Sequence, residues 1–358
     1  MRMNRWAWGC GIVAALWSSM PLATPITYEM VTVGDAGNNA ELLMGHGAVP
    51  YEYEIGKHEV TIGQYSTFLN AVAASDPYDL YNANMGTDLR VAGISRTGAA
   101  GSYSYAVMDN GGSSENRPIS YVTWFSAARF ANWMHNGQLG GQEGAGTTDT
   151  GAYTLNGAMS GAAFSRNAGA KYSIPTLDEW FKAAYYSPQL NSGTGGYFGY
   201  PTQSLYAMPG NLIGSLPNQI NGRNNDTGAL AVTQNTVEDP SQNYLTAVGA
   251  FSGSASFYGT FDQGGNLAEY NDLDGSPSLY RGQKGGNWYG STGMSSDWVG
   301  GGDVQTIYAG PGVGFRLVGA TGAPVPEIDP TGAGSVLALV SGALGLIERR
   351  RWRRAGGG

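Results

Sequence analysis

Glycine constrains this chain more than any other feature: 57 of its 358 residues are Gly. Glycine reaches left-handed backbone conformations at no steric cost, but it loses the most entropy when ordered. A chain this rich in it folds only if other residues bury enough surface to compensate. Here 22 Tyr, 10 Phe and 9 Trp do so, within a hydrophobic content of 42%. Aromatic rings bury large areas, and disordered chains are poor in them. The composition therefore predicts a globular protein built largely of loops. The length suffices for one large domain or two small ones. No internal repeat and no sharp change of composition divides the body, so a single α+β domain with few regular elements is expected.

The two ends are read separately. Residues 1–23 carry Arg2 and Arg5, an apolar run from Trp6 to Leu22, and small residues up to Ala23, the pattern of a secretory signal peptide. Cys10 precedes most of the apolar run, whereas a lipid-bearing cysteine would follow it. At the other end, Val325-Pro-Glu-Ile-Asp-Pro330 leads into an apolar stretch from Gly332 to Ile347, and then to Arg349, Arg350, Arg351, Arg353 and Arg354. That stretch is short for a stable span, which needs roughly 20 residues, and its basic flank would stay cytoplasmic. The tripartite end at 325–358 resembles the PEP-CTERM sorting signal. The resemblance implies a transient membrane anchor cut by an exosortase-type processing enzyme, with delivery to the cell envelope, surface or extracellular matrix. A plain C-terminal anchor is the alternative. The full chain has a net charge of −8. Residues 1–23 hold two arginines, and 326–358 hold five arginines and three acids, so the body carries 12 basic and 24 acidic residues. A nucleic-acid partner is not expected of such a body. The only cysteine lies in the signal peptide, so the body has no disulfide and must hold itself by packing, hydrogen bonds or a bound metal.

Local patterns place the elements. Tyr28, Met30, Val31, Val33, Tyr51, Tyr53, Ile55 and Val60 give a strand-like first segment. Thr61 is placed to cap a helix whose face carries Tyr65, Phe68, Leu69 and Val72. Tyr103, Tyr105 and Val107 suggest a strand in an otherwise loop-like 76–117. A helix with an apolar stripe at 125, 128, 131 and 132–133 ends at His135-Asn-Gly137. Thr176 and Glu179 form a capping-box pattern before a helix over Trp180–Tyr186. Residues 187–250 read as irregular.

Six blocks then occur in order: Ile55–Thr61 with Gln64 and Phe68; Arg117–Trp124 with Ala127–Trp133; Ile174–Trp180 with Ala183-Ala-Tyr185; Gly265-Asn266; Gly285-Gly286; and Gly314-Phe-Arg316. Over about residues 50–320 they resemble the formylglycine-generating enzyme (sulfatase-modifying factor) family. The resemblance implies its irregular, loop-rich, C-type-lectin-like α+β fold as a single domain over 24–324. It also implies a calcium site made by Asp262, the carbonyls of Gly265 and Leu267, and Glu269, and Ca²⁺ does favour six to eight hard oxygen ligands. The family's two copper-binding cysteines fall at Gly290 and Ser295, and copper(I) needs soft thiolate ligands. No catalytic residue and no copper are therefore expected. Trp288, Tyr289 and Trp298 are candidates to line the vacated pocket, with Trp288 as a core residue the competing reading. The three histidines, His46, His58 and His135, lack metal-ligand spacing. The expected function is a non-catalytic, calcium-stabilised binding or structural module for a peptide or glycan. The alternative is a non-haem-iron type oxidoreductase with a remodelled active site.

Overall fold

The computed structural model describes residues 25–290, 295–296 and 304–321. The signal peptide, the sorting tail, Cys10 and Trp298 lie outside the described residues. Two small sheets organise the fold. The first joins β1 (Met30–Val33), β2 (Tyr53–Gly56), β12 (Val318–Ala320) and β5 (Tyr172–Ser173) in the order β1-β2-β12-β5. The second joins β10 (Val304–Gln305), β9 (Tyr280–Lys284), β8 (Ala268–Asn271) and β11 (Val313–Gly314), in that order. Strand β11 runs parallel to β8, with Val313 opposite Ala268. Two hairpins stand apart, β3 (Ile94–Thr97) with β4 (Ser104–Val107) and β6 (Tyr186–Ser187) with β7 (Gly196–Tyr197). The helices are α1 (Ile62–Val72), α3 (Trp124–His135) and α4 (Leu177–Tyr185), with single turns α2 (Asn84–Thr87) and α5 (Leu190–Gly193). The domain is mixed α/β, loop-rich and poor in helix, as the glycine content and aromatic supply require.

Local chemistry starts the helices. Thr61 accepts from the Gln64 N–H while the Gln64 side chain accepts from the Thr61 N–H, and Thr176 and Glu179 do the same at α4. Each pair satisfies two of the donors that a helix start leaves free. Helix α1 buries Tyr65, Phe68, Leu69 and Val72. Phe68 packs edge-on to Phe130 of α3 at 5.3 Å, and Phe130 in turn meets Phe315 at 5.5 Å. Helix α3 departs from its expected stripe. It is buried from Trp124 to Met134, so the long loop 137–170 covers the face that would meet water. Its polar members are bonded inside: Arg129 to Asp149 at 2.9 Å, and Asn132 to the Thr148 carbonyl at 2.8 Å. Helix α4 starts three residues before the expected position, and Tyr186 is already strand.

Candidate functional site

The expected calcium loop is built from left-handed backbone. Asp262, Gly265 and Asn266 have φ of 60°, 85° and 58°. Only glycine fits at 265, because a Cβ there would lie 2.3 Å from the Asn221 carbonyl oxygen. The turn thereby sends Glu269, the second residue of β8, into the interior. Glu269 meets a different partner from the one expected. The Arg316 guanidinium donates to both its oxygens, at 2.5 and 2.6 Å, and the Trp180 indole N–H donates at 2.8 Å. Both side chains of this ion pair are fully buried. Arg316 also donates to the carbonyls of Gly56 and Phe261, each at 2.8 Å. One guanidinium thus ties the end of β2, the calcium-loop segment and β8 together. The Glu269 carboxylate, expected as a calcium ligand, is held in this structure by Arg316 and Trp180.

Asp262 accepts from the Gly249 N–H at 2.6 Å. A third carboxylate, Glu59, joins it from the turn after β2. Glu59 accepts from the Leu267 N–H at 3.1 Å and from the Asn266 amide at 3.2 Å. Burial, with Asp262 and Glu269 nearby, pushes Glu59 well above the ordinary carboxylate range, and burial pushes Asp262 up to about 6. Glu59 also lines a cavity of about 580 Å³ beside His58 and Glu115. Sequence reasoning missed Glu59 because it is 207 residues from Asn266. Its signal was an acidic residue inside a block, Ile55–Thr61, that reads otherwise as strand and cap.

The three carboxylates surround a single guanidinium, and buried charge without compensation is costly.

The positions that carry thiols in the resembled family follow β9 in the chain. Gly290 closes a tight turn with Asn287, each accepting the other's N–H. Among the described residues, a Cβ at Gly290 would meet only the Asn287 side chain, at 3.7 Å, so none of them crowds the position into glycine. The Ser295 carbonyl accepts from the Lys284 ammonium at 3.1 Å. Trp288 belongs to the core. It is 1% exposed, stacks on Tyr244 at 4.8 Å and donates to the Pro311 carbonyl. Tyr289 is 36% exposed and lies edge-on to Trp288. Trp288 is thus packed as a core residue, and the third member of the expected pocket, Trp298, lies outside the described residues.

A cleft of about 690 Å³ instead opens between the start of α4 and the neighbouring face of β8 and β9. Lys284 and Asn271 lie in it. The three histidines stay apart. His46 faces Asp178 at 3.4 Å, His58 stacks on Phe261, and His135 accepts the Lys171 N–H. Among the described residues no three His, Cys, Asp or Glu side chains form a group that could hold a metal ion.

Comparison with known proteins agrees with the expected family. A sulfatase-modifying factor enzyme 1-like domain matches residues 32–321. None of the curated proteins compared with the chain matches it. Among solved structures the chain is similar to CarF, at 19% identity over 82% of this chain and 98% of that one, with a TM-score of 0.44. It is also similar to variable protein 1 of Treponema denticola (17% identity, 83% and 97% covered, TM-score 0.46) and to PvdO from Pseudomonas aeruginosa (14%, 82% and 92%, 0.37). With 32–321 matched and an irregular α+β domain of the expected kind beneath it, the chain belongs to the sulfatase-modifying factor enzyme 1-like family.

Proposed function

We propose that this chain is an exported, surface-sorted binding module that has left the family's thiol-dependent oxidation. One observation carries the reading: the thiol positions are Gly290 and Ser295, and no described residue crowds the first into glycine. Without a thiolate pair no copper(I) site of the family kind can be assembled. The domain offers a ligand long loops on a braced scaffold, an arrangement suited to recognition. A peptide or a glycan is the ligand class.

Calcium belongs to the same reading as a structural ion. Asp262 and the carbonyls of Gly265 and Leu267 would hold it, with Glu59 taking the place first given to Glu269. It would supply charge compensation and rigidity and no chemistry. Hard oxygen donors suit that ion, and the excess of buried carboxylates over guanidinium supports it.

The test is elemental mass spectrometry of the purified full-length chain, together with an oxygen-consumption assay on a cysteine-bearing peptide with added copper. About one calcium per chain, no transition metal and no oxygen uptake are expected. Stoichiometric iron or copper, or turnover, would replace the binding module by the oxidoreductase reading.

A further inference from the structure

One loop of this domain is turned inside out. Residues 183–222 contain no Asp, Glu, Lys, Arg or His, in a body with 24 acidic and 12 basic side chains. Within that run Leu205, Tyr206, Met208, Leu212, Ile213 and Leu216 are exposed, Tyr206 to 89% and the others to between 45 and 54%. Scattered apolar residues at a surface need no explanation, but six of them on one uncharged loop mark an interaction site. The polar side chains of the loop are turned onto its own backbone. Asn211 is buried, and its amide donates to the Gly222 and Ala229 carbonyls at 3.1 and 2.8 Å.

Asn218 and Gln219 close the loop on itself. The Asn218 amide donates to the carbonyls of Ala207 and Met208 at 3.1 and 3.2 Å, and the Asn218 carbonyl accepts the Gly210 N–H at 2.9 Å. The Gln219 side chain accepts the Leu212 N–H at 2.9 Å and donates to the Pro217 carbonyl at 3.2 Å. The Leu216 carbonyl accepts from the Ser254 hydroxyl at 3.2 Å. The two arms of the loop are thus tied side by side, and peptide groups at Ala207, Met208, Leu212 and Leu216 have partners within the protein. Backbone polar groups need such partners before they enter hydrocarbon, where no water can satisfy them. A loop that faces water has no such need.

We infer that the loop at 205–216 inserts into the interfacial layer of a lipid bilayer. Its aliphatic side chains enter the acyl boundary, and Tyr206, apolar in its ring and polar at its tip, sits at the level of the headgroups. A second copy of the chain is a poorer fit, because it brings up another body with the same two-to-one excess of acids. A polar or charged partner is also a poorer fit. The loop has no charge to pair, and its Asn211, Asn218 and Gln219 amides are already bonded. Lipid asks for neither. The expected sorting tail would hold the domain beside a bilayer, and its apolar stretch at 332–347 is short for a stable span. One weak anchor binds a membrane marginally, and a second attachment on the same chain makes the binding stable. The inference rests on the export and surface-sorting reading and adds the surface by which the domain itself meets the membrane.

Phosphatidylcholine vesicles and the full-length chain test it, since these vesicles carry no net charge for the tail arginines to pair with. In a Cys10→Ser background, Tyr206→Cys is labelled with an environment-sensitive nitrobenzoxadiazole dye. Its emission should shift to the blue when vesicles are added and should be quenched by a nitroxide held within the bilayer. The same dye at Val237→Cys, exposed but outside the loop, should stay aqueous. Without any label, Ile213→Asp should lower the vesicle partition coefficient by roughly tenfold or more, the scale set by burying one aliphatic side chain. Ile213 is half-exposed, so an unchanged melting temperature is expected and confirms that the variant folds. Leu337→Arg with Leu339→Arg disables the apolar tail and should weaken binding while leaving the dye signal at 206 in place. A dye at 206 that stays aqueous while the full chain binds would overturn the inference and leave the sorting tail standing. Binding insensitive to Ile213→Asp, or no vesicle binding at all, would overturn it too. So would a dimer that Ile213→Asp dissolves, which would assign the loop to a second copy. Loop-dependent binding at full strength in the tail variant would support the inference and remove the tail as an anchor.

Discussion

At the scale of single residues, charge burial decides most. Arg316 and Glu269 are both fully buried and bonded at both guanidinium edges. Breaking such a pair strands the remaining charge, which costs about 3–5 kcal/mol. Glu269→Ala is therefore expected to lose that much stability in urea denaturation, with or without calcium. If calcium raises the melting temperature of the wild type but not of this variant, Glu269 is a ligand after all. Glu143 makes the opposite case. Both its oxygens are shielded from water, and it faces Asp76, Asp79 and Arg129. Burial, then Asp76, raises its carboxyl from 4.5 to about 8, against the pull of Arg129. The folded state thus holds this proton more tightly than the unfolded chain. That stabilisation is complete below about pH 4.5 and is lost as the pH climbs to about 8. Glu143→Gln should raise the melting temperature at pH 8 and leave it nearly unchanged at pH 5. An equal shift at both values would mean that the carboxyl titrates normally.

At the scale of elements, neighbouring residues define the helix starts and distant ones define the helix faces. Thr61, Gln64, Thr176 and Glu179 cap α1 and α4 as their spacing of three predicts. Replacing Thr176 by Ala should cost about 1 kcal/mol, measured by denaturant midpoint at constant m-value. Glu179 is more than a cap, since it also holds Arg166 at 2.8 Å and accepts from the Tyr51 hydroxyl at 3.0 Å, so Glu179→Ala should exceed the Thr176 loss. In the second sheet, Gly282→Ala should cost about 1–3 kcal/mol through the clash with Asn271. A neutral outcome would show that the Asn271 amide has room to move. Helix α3 shows where periodicity misleads. Its apolar positions mark a stripe, but loop 137–170 wraps the remaining face and turns a surface helix into a buried one. Strand β3 was invisible for a related reason: Ile94-Ser-Arg-Thr97 has little apolar alternation and exists because β4 pairs with it.

At the scale of the whole molecule, the two ends of the domain close on each other. Strand β12 inserts between β2 and β5, so residues 318–320 complete a sheet begun at residue 30. A chain ending at residue 312 would lack β11, Arg316 and β12 together. It should show no cooperative thermal unfolding and rapid proteolysis throughout, and a stable core surviving in that fragment would contradict the closure. The sequence by itself determined the loop-rich α+β character, the capping of α1 and α4, the order of the family blocks and the lack of a thiol pair. All of these depend on residue identity or on neighbours three or four positions apart, where the backbone fixes the distance. Only the tertiary structure decided that Glu269 serves Arg316, that Glu59 joins Asp262, that Trp288 is core and that Asn271 faces a cleft. Those outcomes depend on contacts between residues far apart in the chain, 47 positions for Glu269 with Arg316 and 207 for Asn266 with Glu59. A carboxylate takes whichever cation or donor chain closure brings within reach, and residue spacing carries no record of that choice.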